Sequence, residues 1–205
     1  MFKKINLKFK KNIIWRLKSF YHLWYIYKIF NTIENKNYVL VKIHPNFPLI
    51  KFGSDFDIYT NEREKLVQLF SNFFNNKLKY KLTINNKKSG NVQLDLFYRN
   101  KFIYKFDIYC SEYNSSVFNN LFITNVIKSS VTKKFFFLSM FNIQVPNETM
   151  DAVVRIFELF SFPNKQHHRT ILKKQSKEIL LKAFDEISNY SVGSYKKIIQ
   201  QINID

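Results

Sequence analysis

The chain has 205 residues, enough for one substantial core or a small α/β unit with a helical extension, and too few for two large independent domains. A content of 46% hydrophobic and 18% aromatic residues excludes a disordered polymer, and the single cysteine, Cys110, excludes both an internal disulfide and a cysteine-rich zinc cluster. The excess of 33 Lys and Arg over 15 Asp and Glu, a net charge of +18, selects polyanionic partners such as nucleic acid, nucleotide, anionic lipid or a phosphorylated glycan carrier.

Residues 12–35 lack Gly and Pro and repeat apolar side chains every three or four positions, with Arg16, Lys18 and Lys28 between them. This pattern predicts an amphipathic helix that covers one face of a sheet. Its basic, aromatic character also suits a peripheral contact with anionic membrane. Charges interrupt the apolar run, so neither a secretory signal nor a spanning helix is expected, and a reducing, cytoplasmic setting fits the lone cysteine.

Residues 38–43 form a predicted strand ended by His44-Pro45-Asn46-Phe47-Pro48, and a second strand is expected over 49–60. Helical spacing of Leu66, Leu69, Phe70, Phe73 and Phe74 follows, with Thr60 or Asn61 as the expected cap. Further strands are predicted at 78–84, 91–98 and 102–110, the last two joined at Arg99-Asn100-Lys101 by a hairpin turn. The stretch 111–132 is weakly patterned, and 133–145 reads as a short buried strand or part of a helix. Helices are expected at 148–160 and, after Pro163, at 170–190. The fold class is therefore α+β, a mixed sheet followed by C-terminal helices. Three parts are delimited: the helix at 1–36, the sheet at 37–132 and a mainly helical extension at 133–205.

Asp55 and Asp57 are two apart in a strand, so both leave the same face while Phe56 and Ile58 enter the other. Two acids this close need a counter-charge, and a divalent metal supplies one. A third carboxylate is expected from a neighbouring strand. Asp107 in Lys-Phe-Asp-Ile-Tyr is preferred and Asp95 is held in reserve. The choice depends on the hairpin, since a two-residue turn points these two to opposite faces and a three-residue turn to the same one.

Gly53-Ser54-Asp55-Phe56-Asp57-Ile58 resembles the metal-binding strand of the DNA polymerase β-like nucleotidyltransferase superfamily, and the helix and two strands leading to Asp107 resemble its route to a third carboxylate. The likeness covers roughly residues 38–110 and extends, more narrowly, to nucleotidyltransferase-like proteins among surface-polysaccharide enzymes. It implies a nucleotidyltransferase-like fold, magnesium or manganese on Asp55, Asp57 and Asp107, a nucleoside triphosphate, and a sugar phosphate, glycan or nucleic acid acceptor. One departure is plain. The superfamily usually places a small-residue pair at the end of the preceding strand, where this chain has Val41-Lys42-Ile43-His44-Pro45. Lys42, His44 or the backbone near Gly53 and Ser54 would then meet phosphate in another way.

Arg155, Lys165, His167, His168 and Arg169 form a second, basic group near the expected junction of two C-terminal helices, suited to phosphate. Similar arrangements recur in helices appended to nucleotidyltransferase-like domains. No phosphate loop and no nucleophile elbow is present. The aromatic residues form no ribonucleoprotein motif, so base stacking is not assigned. Three readings follow: a metal-dependent nucleotidyltransferase-like enzyme, a noncatalytic protein that binds RNA or anionic lipid on a degenerate form of that fold, and a membrane-peripheral carbohydrate-pathway enzyme.

Overall fold

A computed structural model describes residues 19–33, 37–43, 47, 49–87, 90–110, 120–135 and 138–190. Helix α1 covers 19–32; the rest of the helix expected over 12–35 lies outside the described residues, as does the His44-Pro45-Asn46 turn. Strands β1 (Tyr38–Val41) and β2 (Ser54–Thr60) follow, then helix α2 (Arg63–Asn75) and strands β3 (Tyr80–Asn86), β4 (Val92–Tyr98) and β5 (Lys101–Cys110). Helix α3 (Asn120–Lys128), strands β6 (Ser130–Phe135) and β7 (Leu138–Pro146), and helices α4 (Glu148–Ser161), α5 (Gln166–Leu172) and α6 (Lys177–Ser188) complete the chain.

The five N-terminal strands form one mixed sheet in the order β1-β2-β5-β4-β3. β2 and β5 run parallel at its centre, while the remaining pairs are antiparallel. Their alternating side chains create two cores. Phe56, Ile58, Leu94, Leu96, Phe106 and Ile108 point to one face, where α1 and α2 cover them with Leu23, Phe30, Phe70 and Phe74. Val39, Val41 and Tyr59 point to the other and meet Phe122 of α3, Val153 and Phe157 of α4, and Phe184 of α6. Among the described residues, the second core draws nothing from β3 or β4.

Several elements depart from the sequence pattern. The single helix expected at 170–190 is two, because the chain turns at 173–176 and Ser176 starts α6 by accepting a hydrogen bond from the Ile179 amide at 3.3 Å. The ambiguous 133–145 segment belongs to a β6–β7 hairpin that crosses the 132/133 boundary drawn from the sequence. β3 starts at Tyr80 and runs on through Asn85 and Asn86, which pair with Gln93 and Val92 although their composition reads as a linker. Neither Thr60 nor Asn61 is the N-cap of α2; that position is Glu62, and the Thr60 hydroxyl instead accepts from the Glu62 amide.

The β4–β5 turn has two residues, Arg99 and Asn100, both left-handed at φ 49° and 60°. Alone it would put Asp95 and Asp107 on opposite faces. A bulge intervenes, since Phe97 pairs with Phe102 but Leu96 pairs with Tyr104, so Ile103 and Tyr104 both enter the core. The extra residue returns Asp95 and Asp107 to the same face.

Phe106 stands at the centre of the first core, stacked on Phe56 at 5.1 Å and 4.7 Å from the Phe70 ring, with no exposed surface. Phe106→Ala is expected to cost about 3–5 kcal/mol in urea unfolding through the cavity it leaves. Leu78→Ser, at an 88% exposed position, should stay within about 0.5 kcal/mol of the parent. Similar losses for the two would contradict this assignment of the core.

Candidate functional site

The parallel register of β2 and β5 sets Asp57 opposite Asp107 and Asp55 opposite Lys105. On the far side of β5, Gln93 lies opposite Asp107 and Asp95 opposite Lys105. Asp55, Asp57 and Asp107 therefore share the face turned away from Phe56 and Phe106. Asp95 also shares it, but two strands from Asp57, where Asn85 and Gln93 donate to its carboxylate at 3.0 and 2.8 Å. The adjacency favours Asp107 over Asp95 as the partner of Asp57.

Two ammonium groups are threaded through these acids. Lys105 Nζ lies 2.9 Å from Asp55 and 3.0 Å from Asp107. Lys42 Nζ lies 3.0 Å from Asp57 and 2.7 Å from Glu158 of α4. Glu158 also accepts from Lys165 at 2.6 Å. A chain of alternating charge thus runs from Asp57 through Lys42 and Glu158 to Lys165, linking the sheet to the C-terminal helices.

Lys42 reaches its position from the end of β1 with a left-handed backbone, φ 54°. That conformation costs a non-glycine residue about 1–2 kcal/mol, offset here by two charge-assisted hydrogen bonds. Gly53, also left-handed at φ 84°, donates its amide to the Ile103 carbonyl at 2.7 Å. A Cβ at Gly53 would meet nothing within 4 Å, so the demand for glycine is torsional and the backbone in front of it is open.

The acids border a cleft of about 400 Å³. Lys42, Gly53, Ser54, Asp55 and Asp57 line one side, with Arg155, Lys165, His167 and His168 on the other. Asp107, Asp95 and Arg169 are not among its lining residues. Asp107 sits behind Asp57, 13% exposed, whereas Asp55 is 48% exposed. Arg155 is buried and fully engaged: it donates to Asp151 at 2.7 Å and to the Ile43 carbonyl at 3.2 Å, and contacts His168 Nδ1 at 3.3 Å. It ties α4 to the end of β1 and to α5. Lys165, 39% exposed, is the cleft cation able to meet a solute, and beside it stands the exposed His167, whose pKa is lowered by burial and by the Lys165 and Arg155 charges, leaving a neutral ring with an N–H to donate. His44 lies outside the described residues.

Burial and the neighbouring Glu158 and Asp107 charges raise the Asp57 pKa, against the pull of Lys42. Burial opposes the charge on Lys42 most strongly, yet Asp57 and Glu158 together hold its pKa above the ordinary lysine value. For Glu158, burial acts upward but Lys42 and Lys165 outweigh it, so its pKa is depressed. Lys105 is raised because Asp55 and Asp107 outweigh desolvation. Burial, helped by His167 and Arg155, pushes His168 down to about 3. A guanidinium can only donate, so His168 Nδ1 is the acceptor and its proton resides on Nε2.

Sequence reasoning missed Lys105 and Glu158. Lys105 was legible as the strand neighbour of Asp107 on the same face. For Glu158 the one trace was the i, i+4, i+7 spacing of Asp151, Arg155 and Glu158 along an otherwise apolar helix face, which does not name its partner. Among the described residues, no group of three or more His, Cys, Asp or Glu side chains is gathered closely enough to hold an ion. The oxygen donors of Asp55, Asp57 and Asp107 nevertheless suit a hard cation, and the Lys105 ammonium occupies a cationic point shared by two of them. Among the described residues, no helix is long and apolar enough to cross a membrane.

No protein-family model matches the sequence, and no curated protein does. Among solved structures, one described as a "putative nucleotidyltransferase from H. pylori" superposes with a TM-score of 0.43 at 11% identity, over 91% of this chain and 92% of that one. A likeness at this level establishes neither a shared family nor a shared activity.

The buried histidines make acid sensitivity predictable. His168 and His22, the latter pushed by burial to about 4, stay neutral in the folded protein. In the unfolded chain they take up protons below about pH 6.5, so the unfolded state binds more protons and stability falls as pH drops from there toward 4. The urea midpoint is expected to be lower at pH 5 than at pH 7, with a slope of about 1 kcal/mol per pH unit for each ring. His168→Gln should flatten that slope by about one proton. An equal midpoint at both pH values would contradict the burial of these rings.

Proposed function

We propose that the cleft binds a nucleoside triphosphate and that the protein transfers its nucleotidyl group to a hydroxyl or phosphate acceptor. The supporting observation is the register of β2 and β5, which sets Asp57 beside Asp107 with Asp55 one pleat away at the mouth of a cleft whose opposite wall is basic. On this reading Asp55, Asp57 and Asp107 hold magnesium or manganese once Lys105 turns aside. Held there, such an ion would supply charge neutralisation and orientation of the triphosphate.

Lys165 and His167 meet the phosphates from the far wall, and Lys42, fixed by Glu158, keeps Asp57 aimed into the cleft. The open backbone at Gly53 and Ser54 admits the triphosphate, a role that small residues on the preceding strand would otherwise fill. In the transfer, the acceptor oxygen bonds to the α-phosphorus and the bridge to the β-phosphate breaks. Pyrophosphate leaves with the bonding electrons, and the acceptor proton passes to the Asp107 carboxylate.

One observation favours a second reading. Lys42 and Lys105 already supply counter-charge to every acid of the row, as they would in a noncatalytic polyanion-binding relative. Incubation with each nucleoside triphosphate and magnesium separates the two. Metal-dependent pyrophosphate release, reduced at least about 100-fold in Asp57→Asn and Asp107→Asn, supports transfer, on the scale expected when a metal-assisted step is lost. Triphosphate binding that survives both substitutions with no pyrophosphate release supports the second reading and overturns the first.

A further inference from the structure

Helix α1, the α2–β3 turn and the β4–β5 turn meet at one end of the first core, on the sheet face away from the acids. His22 of α1 joins them: its ring stands 5.6 Å from Tyr80, 4.6 Å from Tyr98 and 5.6 Å from Phe52, and its Nδ1 lies 2.6 Å from the Tyr80 hydroxyl. Around these rings three large apolar side chains stand in solvent, Leu78 at 88% exposure, Tyr21 at 50% and Phe52 at 40%. The Tyr80 amide donates to the Lys77 carbonyl at 3.1 Å, closing a tight turn that puts Leu78 at its tip. Lys79 holds a left-handed backbone there, φ 79°, in the position that glycine ordinarily takes.

Cations surround these side chains on the same face. Lys77 Nζ lies 4.3 Å from the centre of the Tyr25 ring and 4.8 Å from that of Phe73, and the Arg99 guanidinium lies 5.5 Å from that of Tyr98. Lys101 is the cross-strand partner of Tyr98, and the Arg99 amide donates to the Lys79 carbonyl at 2.8 Å, joining the two turns. The hydrogen bond to Tyr25 raises the Tyr21 pKa while the Lys77 and Lys79 charges pull against it, so both ammonium groups stand near that hydroxyl. Residues 19–33, 65–94 and 96–106 contain no acid, and among the described residues no carboxylate pairs with any of these four cations. Asp95 points to the other face, where Asn85 and Gln93 engage it.

We infer that this surface docks the protein on an anionic bilayer, with Leu78, Tyr21 and Phe52 entering the headgroup region between Lys79, Arg99 and Lys101, which meet lipid phosphates. Interfacial binding sums apolar insertion and attraction to anionic headgroups, and this patch offers both. Nucleic acid suits it less well. The most exposed apolar group is aliphatic and gives a base nothing to stack on, while Lys77 and Arg99 already stand over the Tyr25 and Tyr98 rings. Phe52 directly precedes Gly53 and Ser54, which line the cleft, so the docked surface adjoins it.

The dock does not rest on the nucleotidyl-transfer reading. Co-sedimentation of the full chain with vesicles of equimolar phosphatidylglycerol and phosphatidylcholine, without magnesium or nucleoside triphosphate, tests it. The protein should bind, more weakly as salt rises, and should leave phosphatidylcholine vesicles unbound. Leu78→Ser, with stability close to the parent's, should weaken binding about tenfold, and Leu78→Ile should retain it. Lys79→Gln with Arg99→Gln should weaken it by about fivefold for each cation removed. Lys128→Gln with Lys133→Gln, an equal loss of charge beside the opposite edge of the sheet, should keep the parent affinity. Failure of the parent to sediment, or equal binding by the parent, Leu78→Ser and the Lys79 and Arg99 double variant, would overturn the dock. So would single-stranded RNA bound in fluorescence anisotropy and lost with the same two charge substitutions while the vesicles stay unbound, because the patch would then serve nucleic acid. Asp57→Asn should leave vesicle binding unchanged. Vesicle binding as expected without metal-dependent pyrophosphate release keeps the dock and removes the transfer reading.

Discussion

Everything at the cleft depends on the parallel pairing of β2 with β5. Phe56, Ile58, Phe106 and Ile108 are drawn to one face by burial, and the pleat then leaves Asp55, Asp57 and Asp107 no choice but the other. The apolar residues thus fix the position of the acids as firmly as any polar contact does. A slip of one residue between these strands would bury the carboxylates and expose the core rings, a change far more costly than any ion pair could offset. The closely spaced acids are therefore placed by the hydrophobic core, and their repulsion is answered locally by Lys42 and Lys105.

Those two lysines differ in character. Lys42 is nearly buried, strained in its backbone and held between Asp57 and Glu158, so removing either acid leaves an incompletely paired charge in a dry place. Lys105 is more exposed and reaches across the pleat from the strand between Asp55 and Asp95. A solute cation could replace the Lys105 ammonium without disturbing the helices, whereas displacing Lys42 would loosen the link through Glu158 to Lys165. This asymmetry makes Lys105, which lies outside the cleft's lining, the exchangeable charge of the acid row and Lys42 part of the cleft's frame. Arg155 belongs with Lys42: its three contacts make it a brace between α4, β1 and α5.

Much of this was legible in the sequence, because the signals are short-range. Alternation exposed β2 and β5 and the shared face of Asp55 and Asp57, and turn chemistry exposed the β4–β5 hairpin. Which of Asp95 and Asp107 lies beside Asp57 was not legible locally, since that turns on strand order, with β5 rather than β4 next to β2, and their common face turns on the bulge at Phe97–Ile103. That bulge places two consecutive apolar residues in the core, a pattern the run Phe102-Ile103-Tyr104 does not distinguish from an ordinary strand. Ser176 as a helix start was hidden by the apolar period running through 170–190 on both sides. Glu158 was obscured for a different reason: an acid on an apolar helix face reads as exposed until a partner 116 residues away in the chain is placed against it.

The proposed function requires the acid row of β2 and β5 to take up a divalent cation where the Lys105 ammonium bridges Asp55 and Asp107. A crystal soaked in manganese and measured at its absorption edge addresses this without reference to any reaction. The account predicts an anomalous peak within coordinating distance of Asp55, Asp57 and Asp107, with the Lys105 ammonium displaced from between Asp55 and Asp107. Absence of a peak there, with Lys105 still bridging the two acids, would contradict it.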